Sequence, residues 1–475
     1  MEWSRLLNEV RRKDTAQGKS SRTSQSFVVR TEIERDYDRI LFSTPVRRLA
    51  DKTQVFPLEK NDSVRNRLTH SYEVSNLCRS LGTRLAYSDK RFSSEDAAKR
   101  NLPALLAAVG LAHDLGNPPF GHQGEYAIQS WFKDNPKVLG ESSLTPAQRA
   151  DFERFEGNAQ TLRILTRLQV VNDDYGLNPT YATLAALMKY PVASDAIDEA
   201  NQATKKHGFF QSEKAIVEEV WAETGLRQGV RHPLTYLMEA SDDIAYGVLD
   251  AEDAVKKGLV SYPDLVEYLK HQCRGDLLAD QVLEKAAKDH LEYRKVNLSP
   301  AELNDISTQK FRVHAIGAMI SSVYDCFQKN GSKIEEGVFK GDLLVASGAA
   351  TLCKALKDFD REHAYRHKSV LAVEAEGYNT IRSLMTYLWI AITERSDPDF
   401  LDSKRKSPIA KFAYGRISEN YRRVAESKSN TMPLRYREVQ LLTDMISGMT
   451  DSFAVSLNCE LKKYYDVKDF KLIDN

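Results

Sequence analysis

Residues 105–122 read LLAAVGLAHDLGNPPFGH. Leu105, Leu106, Val109 and Leu111 recur at helical spacing, so the stretch predicts a dense apolar helix that runs into His113 and Asp114. The helix cannot continue through Gly116-Asn117-Pro118-Pro119, because consecutive prolines remove backbone donors and exclude the helical conformation for the residue before them. A new helix is expected near Phe120, bringing His122 and Glu125 onto one face at i, i+3. The same period extends outward. Val74, Leu77, Leu81 and Leu85 form a one-faced stripe after His70. Further helical patterns cover about 159–170, 180–189, 233–256, 263–273, 278–293, 311–329, 342–358, 370–394 and 436–457. No alternating run exceeds four or five residues, so the predicted fold is all-α with at most a small β-element.

The 475 residues carry 67 basic and 67 acidic side chains, a neutral balance that argues against a protein devoted to coating nucleic acid. Five scattered cysteines without a CxxC pair fit a reducing compartment. The longest apolar run, Leu102 to Ala112, is shorter than the ~20 residues a bilayer needs, and the first residues do not read as a secretory signal. A cytoplasmic protein without membrane association is expected. Residues 14–26 are small and polar, and 134–150 carry Pro, Gly and Ser, so both are expected as mobile or surface segments. The expected organisation is an N-terminal segment 1–30, partly mobile, a catalytic core 31–290, and a helical part 291–475.

His113-Asp114 is an adjacent pair of good ligands. Arg67-Leu68-Thr69-His70 adds a second imidazole at the start of an amphipathic helix, and Glu239-Ala240-Ser241-Asp242-Asp243 places carboxylates inside an apolar one, where an unpaired charge is costly. Two imidazoles and two carboxylates make a mixed N/O site for Mn, Mg, Co, Fe or Zn-type divalent ions. Asp242, Tyr246 and Asp250, at i, i+4 and i+8, lie within about 80° of one another around a helix, whereas Asp243 points about 100° from Asp242. Asp242 is therefore preferred as the ligand. A His oriented by a carboxylate, as His122 is by Glu125, can position water or pass a proton.

The pattern His70 … His113-Asp114 … Asp242 resembles the metal-binding set of the HD-domain phosphohydrolases, and the segments around it resemble the bacterial dGTP triphosphohydrolases (dGTPases). The resembling stretches are Arg47-Arg48-Leu49 with Lys52 to Leu58, Arg67 to Ser71, His113 to His122, Phe155 to Gln160, Lys189-Tyr190-Pro191 and Ile446 to Asp451. They keep their order from about residue 35 to 455.

The resemblance implies an HD-domain helical fold and metal-dependent water attack at the α-phosphorus of dGTP, releasing deoxyguanosine and triphosphate and so lowering the dGTP pool. It implies His70, His113, Asp114 and Asp242 as metal ligands and His122 with Glu125 as the catalytic pair. Arg67, Lys189 and Tyr190 would hold phosphates. Gln54, Tyr246 and Asp250 would surround the deoxyribose, with the Tyr246 ring against the 2′ position. Tyr365 and Glu374, by their spacing before Gly377-Tyr378, resemble positions that stack on and hydrogen-bond to guanine. A homohexamer is the expected assembly. The resemblance also leaves single-stranded DNA open as a partner, for which Arg11-Arg12-Lys13, Lys404-Arg405-Lys406 and Arg422-Arg423 would supply phosphate contacts, the favoured reading of these stretches being solvated surface charge. Two other readings stay open: a triphosphohydrolase of broader deoxynucleotide range activated by a nucleotide, and a nucleotide-sensing or DNA-binding regulator on the same fold.

Overall fold

The computed structural model describes residues 1–19, 29–59, 61–140, 143–169 and 173–465. Among these the chain forms 22 α-helices and no strand, with only two isolated bridges, Arg11 to Thr180 and Arg395 to Arg405. The all-α expectation holds.

At the centre two helices, Arg67–Ser88 and Asp96–Ala112, pack side by side. Asn66 starts the first, accepting a hydrogen bond from the Thr69 amide while Thr69 answers the Asn66 amide. Val74, Leu81 and Leu85 are fully buried along its length, and Leu105, Leu106, Val109 and Leu111 face them from the second. Each such leucine contributes roughly 1.5–3 kcal/mol by leaving water. Small residues let the backbones approach: a Cβ on Gly82 would stand 2.8 Å from the Leu102 carbonyl oxygen, and one on Gly110 2.9 Å from Ser75 Cα. The long helix Pro233–Lys256 lies against both, and Pro300–Lys329 and Ala350–Asp360 cover it in turn. Gly121–Asp134 packs on Lys368–Thr393, which also meets Leu434–Ser447 and Asp451–Leu461. The principal cluster of buried apolar side chains runs from Ile33 to Tyr465.

Four expectations about elements need correction, and one is that the pattern over 342–358 is helical only from Ala350, after turns in which Asp342 and Ser347 accept from the Leu344 and Ala349 amides. The pattern over 436–457 is two helices, because the Gly448 carbonyl turns out to the Arg48 guanidinium (2.9 Å) and Thr450 caps a new start at Asp451, its side chain accepting from the Phe453 amide. The pattern over 311–329 begins earlier, at Pro300, where Ser299 and Glu302 form a capping box. The supposed surface loop 134–150 contains the turn Pro136–Leu139 and the capped helix Pro146–Glu153, with Val138, Leu139 and Leu144 buried; residues 141–142 lie outside the described residues. Of the stretch 14–26, residues 14–16 end the short helix Arg12–Ala16 and residues 20–26 lie outside the described residues.

Candidate active site

Helix geometry decides which side chains meet. His113 caps the Asp96–Ala112 helix, and its Nδ1–H donates to the Gly110 carbonyl at 2.7 Å, which leaves Nε2 as the free ligand atom. That Nε2 is buried and makes no hydrogen bond; it stands 3.4 Å from Asp242 Oδ1 and 3.5 Å from Asp114 Oδ2. His70, in the first turn of its helix, brings Nε2 to 3.1 Å from Asp242 Oδ1. Ligand atoms of His70, His113 and Asp242 all lie within 4.8 Å of one another. Bonds of about 2.0–2.2 Å to a common ion require ligand atoms some 3–3.5 Å apart, and the two imidazole–Asp242 separations, 3.1 and 3.4 Å, fall in that range. The orphaned, tautomer-fixed Nε2 of His113 supports the same reading.

Asp114, read from sequence as a fourth ligand, stands beside this trio rather than within it. Its Oδ2 pairs with the Arg67 guanidinium and its Oδ1 accepts from Asn117 Nδ2 at 2.8 Å. Burial would raise the Asp114 carboxyl, but His113 and Arg67 hold it down at about 2. Burial likewise opposes the His113 imidazolium, yet Asp114 and Asp242 lift it to about 9. Asp243 points away, as its 100° offset predicts, and pairs with Lys357 at 2.9 Å.

His122 and Glu125, the pair expected from sequence to be catalytic, lie on the helix that follows the next turn. The Gly116–Pro119 turn ends in Phe120, whose φ of 61° is left-handed and costs a bulky residue about 1–3 kcal/mol. Gly121–Asp134 starts directly after it. His122 Nδ1 meets Glu125 Oε2 at 3.3 Å, and Glu125 Oε1 accepts from the Gly157 amide at 2.8 Å. The His122 side chain is 83% exposed whereas that of Glu125 is only 9% exposed. The carboxylate is therefore fixed and the imidazole is free to meet a substrate. The bond to Glu125, then its charge, raises the His122 imidazolium above its ordinary range.

A cavity of about 600 Å³ joins these groups. Twelve of the fourteen residues singled out from sequence line it; His70 and Asp250 lie behind its wall. Lys189 faces Glu239 at 3.6 Å, and Glu239 also takes Arg231 at 2.6 Å. Gln54 presents a buried Oε1 without a hydrogen-bond partner. The Asp242 stripe continues through Tyr246 to Asp250, where Asp250 Oδ2 accepts from the Tyr365 hydroxyl at 2.6 Å and the two tyrosine rings stand 5.9 Å apart. Tyr365 is thus tied to the stripe read as sugar-binding. Glu374 is half-buried on the cavity wall, and its burial raises its carboxyl.

Sequence reading missed Lys206, Lys357 and Arg361, all on the cavity wall. Lys206 pairs with Glu156 at 2.7 Å, which places the Phe155–Gln160 stretch at the site. Lys357 and Arg361 share a helical face at i, i+4, the one local signal that pointed to them. Counting the lining, five fixed cations (Arg67, Lys189, Lys206, Lys357, Arg361) oppose six carboxyl groups (Asp114, Glu125, Glu156, Asp242, Asp243, Glu374). A polyphosphate would therefore need further positive charge, which a divalent ion supplies.

Of the basic stretches, Arg11 is buried and bound to Glu32 and Asp36 at 2.8 and 2.6 Å, so it presents no charge outward. No helix of the described residues is long and apolar enough to cross a membrane.

The HD-domain family profile matches residues 67–153, which span His70, the His113-Asp114 pair and the helix that carries His122 and Glu125. A deoxyguanosinetriphosphate triphosphohydrolase-like protein of Listeria monocytogenes is 38% identical over 96% of this chain and 98% of its own length. One of Synechocystis sp. is 34% identical over 97% and 99%. The deoxyguanosinetriphosphate triphosphohydrolase of Yersinia pestis is 32% identical over 92% and 94%. The chain is therefore a member of the HD-domain phosphohydrolases, in the family of deoxyguanosinetriphosphate triphosphohydrolases and their like-named relatives.

Proposed function

We propose that the protein hydrolyses dGTP to deoxyguanosine and inorganic triphosphate, acting on the deoxynucleotide pool of the cytoplasm. The observation that carries this reading is the meeting, on one cavity, of the His70–His113–Asp242 trio, the His122–Glu125 pair and five cations. Mn, Mg, Co or a related divalent ion held by the trio, with Asp114 as fourth ligand, would supply Lewis-acid stabilisation of charge on the phosphate oxygens. Asp114 turned to that role would release the Arg67 guanidinium towards phosphate.

The remaining work falls to side chains. Water attacks the α-phosphorus, the bond from phosphorus to the 5′ oxygen breaks, and the triphosphate leaves intact. His122, protonated and oriented by Glu125, gives its proton to the departing 5′ oxygen and regains one from the attacking water. Arg67, Lys189 and Tyr190 hold the polyphosphate, joined by Lys206, Lys357 and Arg361. Tyr246 closes the space a 2′-hydroxyl would need and Gln54 takes the 3′-hydroxyl, while Asp250, read from sequence as a second sugar contact, stands behind the wall and holds the Tyr365 hydroxyl at its edge. Tyr365 and Glu374, from the part after residue 290, complete the base end, and a homohexamer is the expected assembly.

Chromatography of products after incubation with dGTP and Mn, Mg or Co tests the reading. Tripolyphosphate supports it, while pyrophosphate or monophosphate places the broken bond elsewhere. Assaying the four deoxynucleotides singly and in mixtures separates guanine specificity from nucleotide activation.

A further inference from the structure

The Ile446–Asp451 stretch has no part in the chemistry just described, yet its last residue reaches the site from 331 positions away. Asp451 is buried in the first turn of the Asp451–Leu461 helix. Its Oδ1 accepts from the Phe120 amide at 3.0 Å, and its Oδ2 accepts from both the amide (2.9 Å) and the hydroxyl of Thr53. Phe120 is the left-handed residue from which the His122 helix starts, and that start has no side-chain cap of its own. The Thr53 carbonyl, in turn, accepts from Arg67 Nε at 2.9 Å. Next door, Lys52 Nζ donates to the Asn117 carbonyl at 2.6 Å and the Ser447 carbonyl at 2.7 Å, gripping the other end of the same turn. On the far side of Phe120, Gly377 gives its ring room: a Cβ there would stand 2.5 Å from Phe120 Cγ.

We propose that Asp451 is a positioning residue for turnover, one carboxylate that fixes both the entry angle of the His122–Glu125 helix and the place of Arg67. It touches neither the cation trio nor any reacting atom. The left-handed Phe120 is a conformation that a bulky residue keeps only when its surroundings enforce it, and the Asp451–Phe120 bond is the polar part of that enforcement. Losing it lets the helix start relax, and a displacement of about 1 Å at a catalytic group can cost about 100-fold in rate.

The inference rests on the proposed reaction for its kinetic readout but has a second one that does not. In Asp451→Ala, kcat for dGTP should fall about 100-fold and more than KM rises, with metal content at the wild-type level. Asp451→Asn, which keeps one acceptor oxygen, should lose about 10-fold and guards against a poorly folding alanine variant. Amide hydrogen exchange should quicken in peptides covering 52–67 and 117–134, but not in 233–256. A soluble variant with wild-type kcat, or with wild-type exchange over 117–134, overturns the proposal. If the wild-type protein itself leaves dGTP intact, the reaction is wrong and the exchange pattern alone decides the role of Asp451.

Discussion

Replacing Glu125 by Gln changes one atom of a buried carboxylate and tests the acid–base couple at nearly constant shape. Glu125 Oε1 takes the Gly157 amide at 2.8 Å, so in Glu125→Gln the retained carbonyl oxygen stays there. The new NH₂ then faces His122 Nδ1, 3.3 Å away in the wild type. A donor at that position holds Nδ1 as an acceptor and leaves the ring a proton on Nε2 only in its neutral form. The imidazolium loses its hydrogen-bond partner and the neighbouring charge, the two causes that raise it. Loss of general acid–base catalysis typically costs 10²–10⁴-fold, or about 2.7–5.4 kcal/mol of transition-state stabilisation. We expect kcat to fall in that range. The pH dependence has a definite sign. The wild-type shift is upward, so the proton-donating form survives to higher pH; without the shift, the alkaline fall in kcat should move to lower pH. The retained bond to the Gly157 amide keeps the buried side chain in place, so fold stability should change little. Tripolyphosphate release measured from pH 5 to 10, with metal content checked on the same samples, decides the matter. A metal-replete variant with kcat within threefold of wild type and an unmoved alkaline limb would refute the argument.

Four other outcomes are expected. His122→Ala should keep its metal and lose turnover by elemental analysis and steady-state assay; loss of metal would make His122 a ligand. Tyr246→Ala should narrow the preference for dGTP over GTP, measured as the ratio of kcat/KM values. Gly157→Ala would put a Cβ 2.8 Å from Glu125 Oε1 and closer still to Asn117 Oδ1, so it should lower both kcat and thermal stability, the latter by about 1–3 kcal/mol. Arg163→Ala should destabilise by about 3–5 kcal/mol in denaturant titration without touching the cavity, because it strands Glu213 and Asp444, both buried and held at 2.8 and 2.7 Å.

The sequence carries the helices and most of the side chains that line the cavity, because both are written locally. The break at Pro118-Pro119, the i, i+3 pairing of His122 with Glu125 and the Asp242–Tyr246–Asp250 stripe are matters of spacing, and the structure has each of them. What local spacing does not encode is who meets whom across the chain. Asp114 is a good ligand by type, but only the folded chain brings Arg67 onto its Oδ2. Lys206 sits in a Lys-Lys-His run that reads as ordinary surface charge until Glu156 draws it to the cavity. Asp451 follows the same logic, since a capped helix start looks identical whether or not its carboxylate reaches a distant turn. The break at Gly448 escaped the helical period for a related reason: its carbonyl is claimed by Arg48, from the other end of the sequence.

The most direct test of the central claim is hydrolysis of dGTP by the manganese-loaded protein in oxygen-18 water, with mass analysis of both products. One heavy oxygen in the triphosphate and none in the deoxyguanosine is the expected result, because water enters at the α-phosphorus and the 5′ oxygen leaves with the sugar. Label in the nucleoside, or release of pyrophosphate in place of triphosphate, would contradict it.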